Sequence, residues 1–301
     1  MDRCMDDATM RAEFPDTDQR YAVCQRQASK AYNPASWQTV DRQRGMFRKK
    51  YRSQMNDALD KAVKPVFDSI GSTDPNNLIR MADTLITQEP IRQVYRNLYP
   101  EVGLWFAKKE FGKAKMKAGN LTIKSPITGW SVKASEEEEI LNDIWMNEFI
   151  KFVEGAQIGA NIKSVTGDSR KLLIKYLQNI LSENPDLGSG AQTTMLKDKL
   201  KEAWISDSRW RTNRIVRTET TTASNLGNQR GVDATGKNYI RTWRAAFSNT
   251  RDDHIEMNGQ KREKGVPFDV FGYSMMYPGD PSGPAEQVIN CKCTETYELI
   301  R

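Results

Sequence analysis

The sequence predicts an α+β protein, a mainly helical N-terminal part followed by a small C-terminal α+β module. Two observations predict it. Through the first two thirds, apolar residues recur three and four positions apart between long polar stretches, the period of a helix with one buried face. From Tyr239 onward the pattern shortens to alternation broken by Gly, Pro and Asn, the signature of short strands and turns. At 301 residues the chain is long enough for two domains of about 100–200 residues each. Composition places a helical, basic N-terminal region over 1–134 and a second region over 135–301. The second region divides into a helical leader (135–208) and an α+β module (209–301).

A small opening unit is expected over residues 4–32, with Phe14-Pro15-Asp16 as the turn between two short helical stretches and Cys4 and Cys24 on either side. Residues 37–70 read as one long helix, very polar and basic at Arg42, Arg44, Arg48, Lys49, Lys50 and Arg52. Gly71-Ser72-Thr73-Asp74-Pro75 ends it and opens the next, since proline suits a first-turn position. A helix over 91–117 carries Val94, Leu98 and Phe106, with Pro100 expected to interrupt it by removing a backbone donor. Lys108, Lys109, Lys113, Lys115 and Lys117 form a second basic run. Thr, Ile, Pro and Gly over 120–134 suggest an exposed loop or hairpin.

The next helix has the clearest start. Ser135 and Glu138 have capping-box spacing, Glu136 to Glu139 favour the positive helix end, and Ile140, Ile144, Trp145, Phe149 and Val153 make its apolar stripe. A shorter helix over 172–181 ends near Asn184-Pro185, and 195–204 supplies another turn or two. Residues 211–227 form a helix with few large apolar residues. On it, Arg217, Thr221 and Asn225 fall on one polar stripe at four-residue spacing. A strand over 239–247 centres on Trp243. After it come the His254 segment, an Asn258-Gly259 hairpin turn, the loop 277–281, and a last strand entered through Asn290-Cys291-Lys292-Cys293.

The net charge of +6 favours acidic partners, nucleic acid first among them. The basic runs, Arg42, Arg44, Arg48, Lys49, Lys50 and Arg52 with Lys113, Lys115 and Lys117, are the candidates for non-specific contact with double-stranded DNA; the plain alternative is a solvated helix face. No stretch is long and apolar enough to span a bilayer, and the first residues lack a basic start and apolar run. The expectation is therefore a cytoplasmic protein without a membrane step. Four cysteines are too sparse for a disulfide scaffold and stay available as thiols or ligands.

The one histidine, His254, and the Cys291-x-Cys293 pair supply three of the four groups of a tetrahedral zinc site. Alternate residues of an extended segment share a face, so both sulfurs could meet one ion. A fourth ligand is not evident. The plainer reading keeps two reduced cysteines as small apolar core residues beside an ordinary hydrogen-bonded histidine.

Six pieces, in order, resemble the Mu F-like family of phage head morphogenesis proteins. They are Arg217-Thr218-Glu219 with Ala223 and Asn225, a strand with central Trp243, Thr250-Arg251-x-x-His254, Asn258-Gly259, Pro278-Gly279-Asp280-Pro281, and Asn290-Cys291-x-Cys293. The helices over 140–204 resemble the leader that precedes this module, so the match spans roughly the C-terminal half. The resemblance implies a low-copy minor head (capsid) protein in the virion. It would bind the portal or the inner capsid wall, meeting the portal, the major capsid or the scaffolding protein, during assembly in the host cytoplasm, and would touch or travel with packaged DNA. Arg217, Glu219, Asn225 and Arg251 then read as a buried polar network, with Arg217 or Arg251 meeting Glu219 or Asp253, and zinc as a structural cofactor rather than a catalyst.

Two enzymatic alternatives stand beside it. One is a metal-dependent nuclease using His254 with Asp252 or Asp253; a single histidine argues against a His-Asn-His site. The other is a toxin-like transferase carried in the virion, with Arg217 and Glu219 catalytic.

Overall fold

A computed structural model describes residues 8–13, 16, 17, 20, 34–118, 134–184, 193–248 and 250–300. Helices α1 (Ala8–Glu13), α2 (Pro34–Ser69), α3 (Pro75–Leu85), α4 (Glu89–Ala118), α5 (Ala134–Glu154), α6 (Ala156–Glu183) and α7 (Thr193–Asp233) come first. The module follows as β1 (Tyr239–Arg244), α8 (Asp252–Glu256), β2 (Lys261–Glu263), β3 (Phe268–Val270), β4 (Tyr273–Met275), α9 (Ala285–Val288) and β5 (Thr294–Leu299). The fold is mainly helical α+β, as the two hydrophobic periods predict. Cys4 and Cys24, most of the opening unit and the 120–133 segment lie outside the described residues.

Local chemistry explains several boundaries. Pro75 opens α3, and Asp74 Oδ1 accepts from the Asn76 and Asn77 amides at 3.0 and 3.2 Å. Asn184 closes α6, its side-chain amide donating to the Ile180 carbonyl. Other boundaries differ from expectation. Helix α4 continues through Pro100, which is buried between neighbouring helices; packing on both flanks outweighs the one lost backbone bond. The two helices expected over 195–204 and 211–227 are one, α7, because nothing between Trp204 and Arg211 breaks it. Ser206 and Ser208 fold their hydroxyls back onto carbonyls three residues earlier. Ser135 lies inside α5, and Glu137 and Glu138 turn to α4. Glu137 pairs with Lys115 at 2.7 Å and Glu138 with Lys108 at 3.5 Å.

The main core draws on α2, α3, α4, α5, α6 and α7 together, from Phe47, Met55 and Leu59 through Leu98 and Phe106 to Val153, Leu177, Trp204 and Val216. Residue 134 therefore does not separate two hydrophobic cores. The long helix α7 is the axis: it packs along α4, α2 and α6 and carries the C-terminal module on its second half. In the module, an antiparallel sheet runs β2-β1-β5 and a two-stranded ribbon pairs β3 with β4. A smaller core of Trp243, Met257, Phe268, Val270, Met275, Cys291 and Cys293 lies beneath the sheet.

The α4–α7 crossing depends on glycine. A β-carbon on Gly227 would collide with the Gly103 carbonyl oxygen and stand 2.9 Å from its Cα, and one on Gly231 would meet the Ala107 backbone in the same way. These glycines let two helix backbones touch, and a methyl group there must push them apart. Gly227→Ala or Gly231→Ala should therefore lower stability by about 1–3 kcal/mol, read from the urea midpoint at unchanged m-value. An unshifted midpoint would mean that the helices do not cross this closely.

Candidate metal centre

Three chain segments meet at one point below the sheet. α8 carries His254; the turn after α9 carries Cys291; the residue before β5 is Cys293. All three side chains are buried, and their ligand atoms lie within 4.8 Å of one another. Both sulfurs stand 3.6 Å from His254 Nδ1. A tetrahedral ion with metal–nitrogen near 2.0–2.1 Å and metal–sulfur near 2.3 Å has a nitrogen–sulfur edge of about 3.6 Å. An S–H···N hydrogen bond accounts for one sulfur at a lone pair, but less readily for two.

The hydrogen bonds behind the histidine fix its tautomer. Asp253 Oδ2 only accepts, so the Gln287 amide nitrogen faces it, at 2.7 Å. That turns Gln287 Oε1 toward His254 Nε2, at 2.8 Å, and makes Nε2 the protonated nitrogen. Nδ1 is left with its lone pair aimed at the sulfurs, the arrangement of a metal-ligating histidine oriented by an outer amide. The Trp243 ring meets the imidazole edge-on, 5.4 Å between centroids.

The two sulfurs titrate as a unit. A hydrogen bond from Cys293, then the neighbouring His254, hold Cys291 well below the ordinary thiol range despite burial. Burial, then the negative neighbour, push Cys293 well above it. Burial alone would lower His254; contacts with Cys291 and Gln287 outweigh it and raise the imidazole. The His254–Cys291–Cys293 cluster could hold a metal ion, and among the described residues this group has three members.

A polar network ties the centre to the helices, and its hub is not the one expected. Asn225, on α7, donates to the carbonyls of Pro278 (2.6 Å) and Cys293 (3.1 Å), and its Oδ1 accepts from Thr294 (3.0 Å) and from Arg44 (2.7 Å). Arg44 reaches in from α2, with further bonds to Ser224 Oγ (2.7 Å) and the carbonyls of Lys292 (2.9 Å) and Cys293 (3.2 Å). It is 1% exposed and cannot serve as a DNA contact. Burial pulls its guanidinium down to about 10, against the attraction of Cys291.

The remaining network residues go elsewhere. Glu219 meets a tyrosine rather than an arginine, accepting from Tyr99 Oη at 2.5 Å. Arg217 is half-buried beside the positive Lys292, and Arg251 donates to the Ile289 carbonyl. A buried ion pair does exist, between Arg241 on β1 and Glu295 on β5 at 3.7 Å, and nothing in the spacing announces it. Gln287 and Ser224 were equally invisible in the sequence.

Of the proposed DNA contacts, Arg48 pairs with Asp41 at 2.9 Å, Lys50 with Glu101 at 2.5 Å and Lys113 with Glu110 at 2.9 Å, while Lys115 holds buried Glu137. Arg42, Lys49 and Arg52 are exposed, and the Lys117 side chain lies outside the described residues.

Burial pushes Glu219 up to about 7 against the pull of the Tyr99 hydroxyl. A carboxyl raised in the folded state favours folding while protonated. Its contribution is complete below its unfolded value and is lost as pH rises to about 7. The urea midpoint should therefore fall more steeply between pH 4.5 and 7 in the natural protein than in Glu219→Gln, by about 3 kcal/mol in total at most. Parallel pH profiles for the two proteins would show that Glu219 is not raised.

No family model, no curated protein and no solved structure matches this chain.

Proposed function

We propose that this protein is a phage minor head protein that acts in head morphogenesis by binding the portal or the inner capsid, with a zinc ion stapling its C-terminal module. One observation carries the reading: several of the sequence pieces behind the Mu F-like resemblance, Asn225, Trp243 and the Pro278–Pro281 loop, are tied directly or through one another to the His254–Cys291–Cys293 cluster. Asn225 joins the Pro278 loop to Cys293, Thr222 Oγ1 donates to the Gly279 carbonyl at 2.7 Å, Asn258 Oδ1 takes the Ala245 amide at 3.1 Å, and Trp243 stacks edge-on to His254. Two thiolates and an imidazole at tetrahedral spacing suit zinc better than the hard cations, which prefer oxygen. The role is assembly, with weak DNA contact through exposed Arg42, Lys49 and Arg52.

Three protein ligands also describe catalytic zinc, which keeps one position open, and this favours the nuclease as the second reading. Burial weighs against it: His254, Cys291 and Cys293 are at most 2% exposed, so a phosphodiester has no approach to the ion. The transferase reading rests on Glu219, whose raised carboxyl lines a cavity of about 160 Å³. That is below the about 300–1,000 Å³ usual for small-molecule sites.

Purified particles probed for the full-length chain, together with plasmid cleavage assays in divalent metal, test the assignment. The expected result is the chain inside particles and intact plasmid. Plasmid nicking that His254→Ala abolishes, or particles that lack the protein, would overturn it. The whole chain is used in this test, because helices α2 to α7 share one core.

A further inference from the structure

Between α6 and α7 lies a cavity of about 340 Å³, lined by none of the metal-centre residues, with a buried cation at its edge. Arg211 is 5% exposed, and none of its three guanidinium nitrogens has a hydrogen-bond partner among the described residues. Its flat face stacks on Trp204 at 3.9 Å, and Trp204 is itself anchored by donation from its indole nitrogen to Asp60 at 2.7 Å. The stack holds the guanidinium in place while leaving its in-plane donors unused. Buried donors of a charged group are normally filled, and an unfilled set on a cavity wall indicates a ligand that fills them.

The surroundings specify the ligand's charge. Arg214, Lys171 and Lys175 line the same cavity. Two carboxylates, Asp168 and Asp207, also line it, Asp207 accepting from the Tyr176 hydroxyl, and Asp60 and Asp207 lie near enough to attract Arg211; four cations against two carboxylates still leave the lining positive. At the rim, Trp210 is 62% exposed and lies under Arg214, whose guanidinium carbon is 4.4 Å from the ring centre. A planar guanidinium presents paired donors that fit the oxygens of a phosphate, and an exposed indole beside it gives a base a face to stack on.

We propose that this cavity is a phosphate-binding site, with Arg211 and Arg214 taking the phosphate oxygens and Lys171 and Lys175 closing the rim. The shared chemistry is the phosphate group, whether free or in a nucleic-acid strand. The site is separate from the helix α2 residues assigned to DNA contact above, and it stands whether or not the protein enters particles.

Titration calorimetry of the full chain with inorganic phosphate, and separately with a short single-stranded oligonucleotide, tests it. Saturable binding at one site per chain is expected, weakened about tenfold or more in Arg211→Gln, the loss of one charged hydrogen-bonding partner. Because Arg211→Gln also disturbs the Trp204 stack, the exposed double variant Lys171→Gln/Lys175→Gln provides a second reading and should weaken binding with an unchanged melting temperature. If Trp210→Ala weakens only the oligonucleotide, the phosphate comes from a strand with a stacked base. If the oligonucleotide does not bind but phosphate does, the ligand is free phosphate. Absence of saturable binding by either probe at millimolar concentration would overturn the proposal, as would binding that survives both Arg211→Gln and the lysine double variant.

Discussion

Chelation is expected to remove about one zinc ion per chain and to unfold the module around β1 and β5 while the helical core persists. The ligands bring together three segments that the sheet alone holds weakly: β1 and β5 have six residues each, and β2, β3 and β4 only three. An ion bound by the folded state and not by the unfolded chain adds its binding free energy to folding, about 4 kcal/mol at a thousandfold excess over the dissociation constant. Cys293→Ser should mimic chelation, since a hydroxyl does not replace a thiolate at the ion. Elemental analysis of protein purified without added metal, followed by melting with and without a chelator, gives the answer. Metal-free protein with an unmoved transition would leave the two cysteines as reduced core residues beside a hydrogen-bonded histidine.

Arg44→Met should be nearly as damaging, although Arg44 sits in the most basic stretch of the chain. Its removal takes one partner each from Ser224 Oγ, Asn225 Oδ1 and the carbonyls of Lys292 and Cys293 in a buried place, leaving Asn225 Oδ1 with Thr294 alone and the Cys293 carbonyl with Asn225 alone. Four charge-assisted bonds are lost at once from a buried hub, and because each acceptor keeps one other partner the expected total is about 3–5 kcal/mol rather than the sum of four full penalties. Arg52→Gln, eight residues along the same helix but exposed, should change stability by less than about 0.5 kcal/mol. Equilibrium unfolding of the two variants decides between a structural Arg44 and a surface one. A normally stable Arg44→Met protein with weakened DNA affinity would restore the reading of residues 42–52 as one nucleic-acid surface.

The same comparison marks how far sequence reading reaches. Charge along a helix is visible residue by residue, but which face is buried depends on what packs there. Arg44, Arg48 and Lys49 look equivalent in the sequence, yet α7 and the turn before β5 cover the first, Asp41 engages the second, and the third is exposed. Likewise Glu137 and Glu138 satisfied a local capping pattern, while lysines on α4, distant in sequence, became their ion-pair partners. Pro100 is a local breaker that tertiary packing overrode.

What the sequence determined by itself was whatever short-range periodicity and side-chain chemistry encode: the helical and strand-bearing parts, the Asp74-Pro75 helix start, the Asn184 stop, and the His254–Cys291–Cys293 set as the residues able to share an ion. What only the tertiary structure decided was every pairing between residues far apart in the chain. The Arg44–Asn225 hub, the Arg241–Glu295 pair, the Tyr99–Glu219 contact and the Gln287 bond that sets the His254 tautomer join segments separated by tens to hundreds of residues. A buried polar group takes whichever partner the packing of apolar faces brings within hydrogen-bonding distance, and that packing is a property of the assembled core rather than of any one segment.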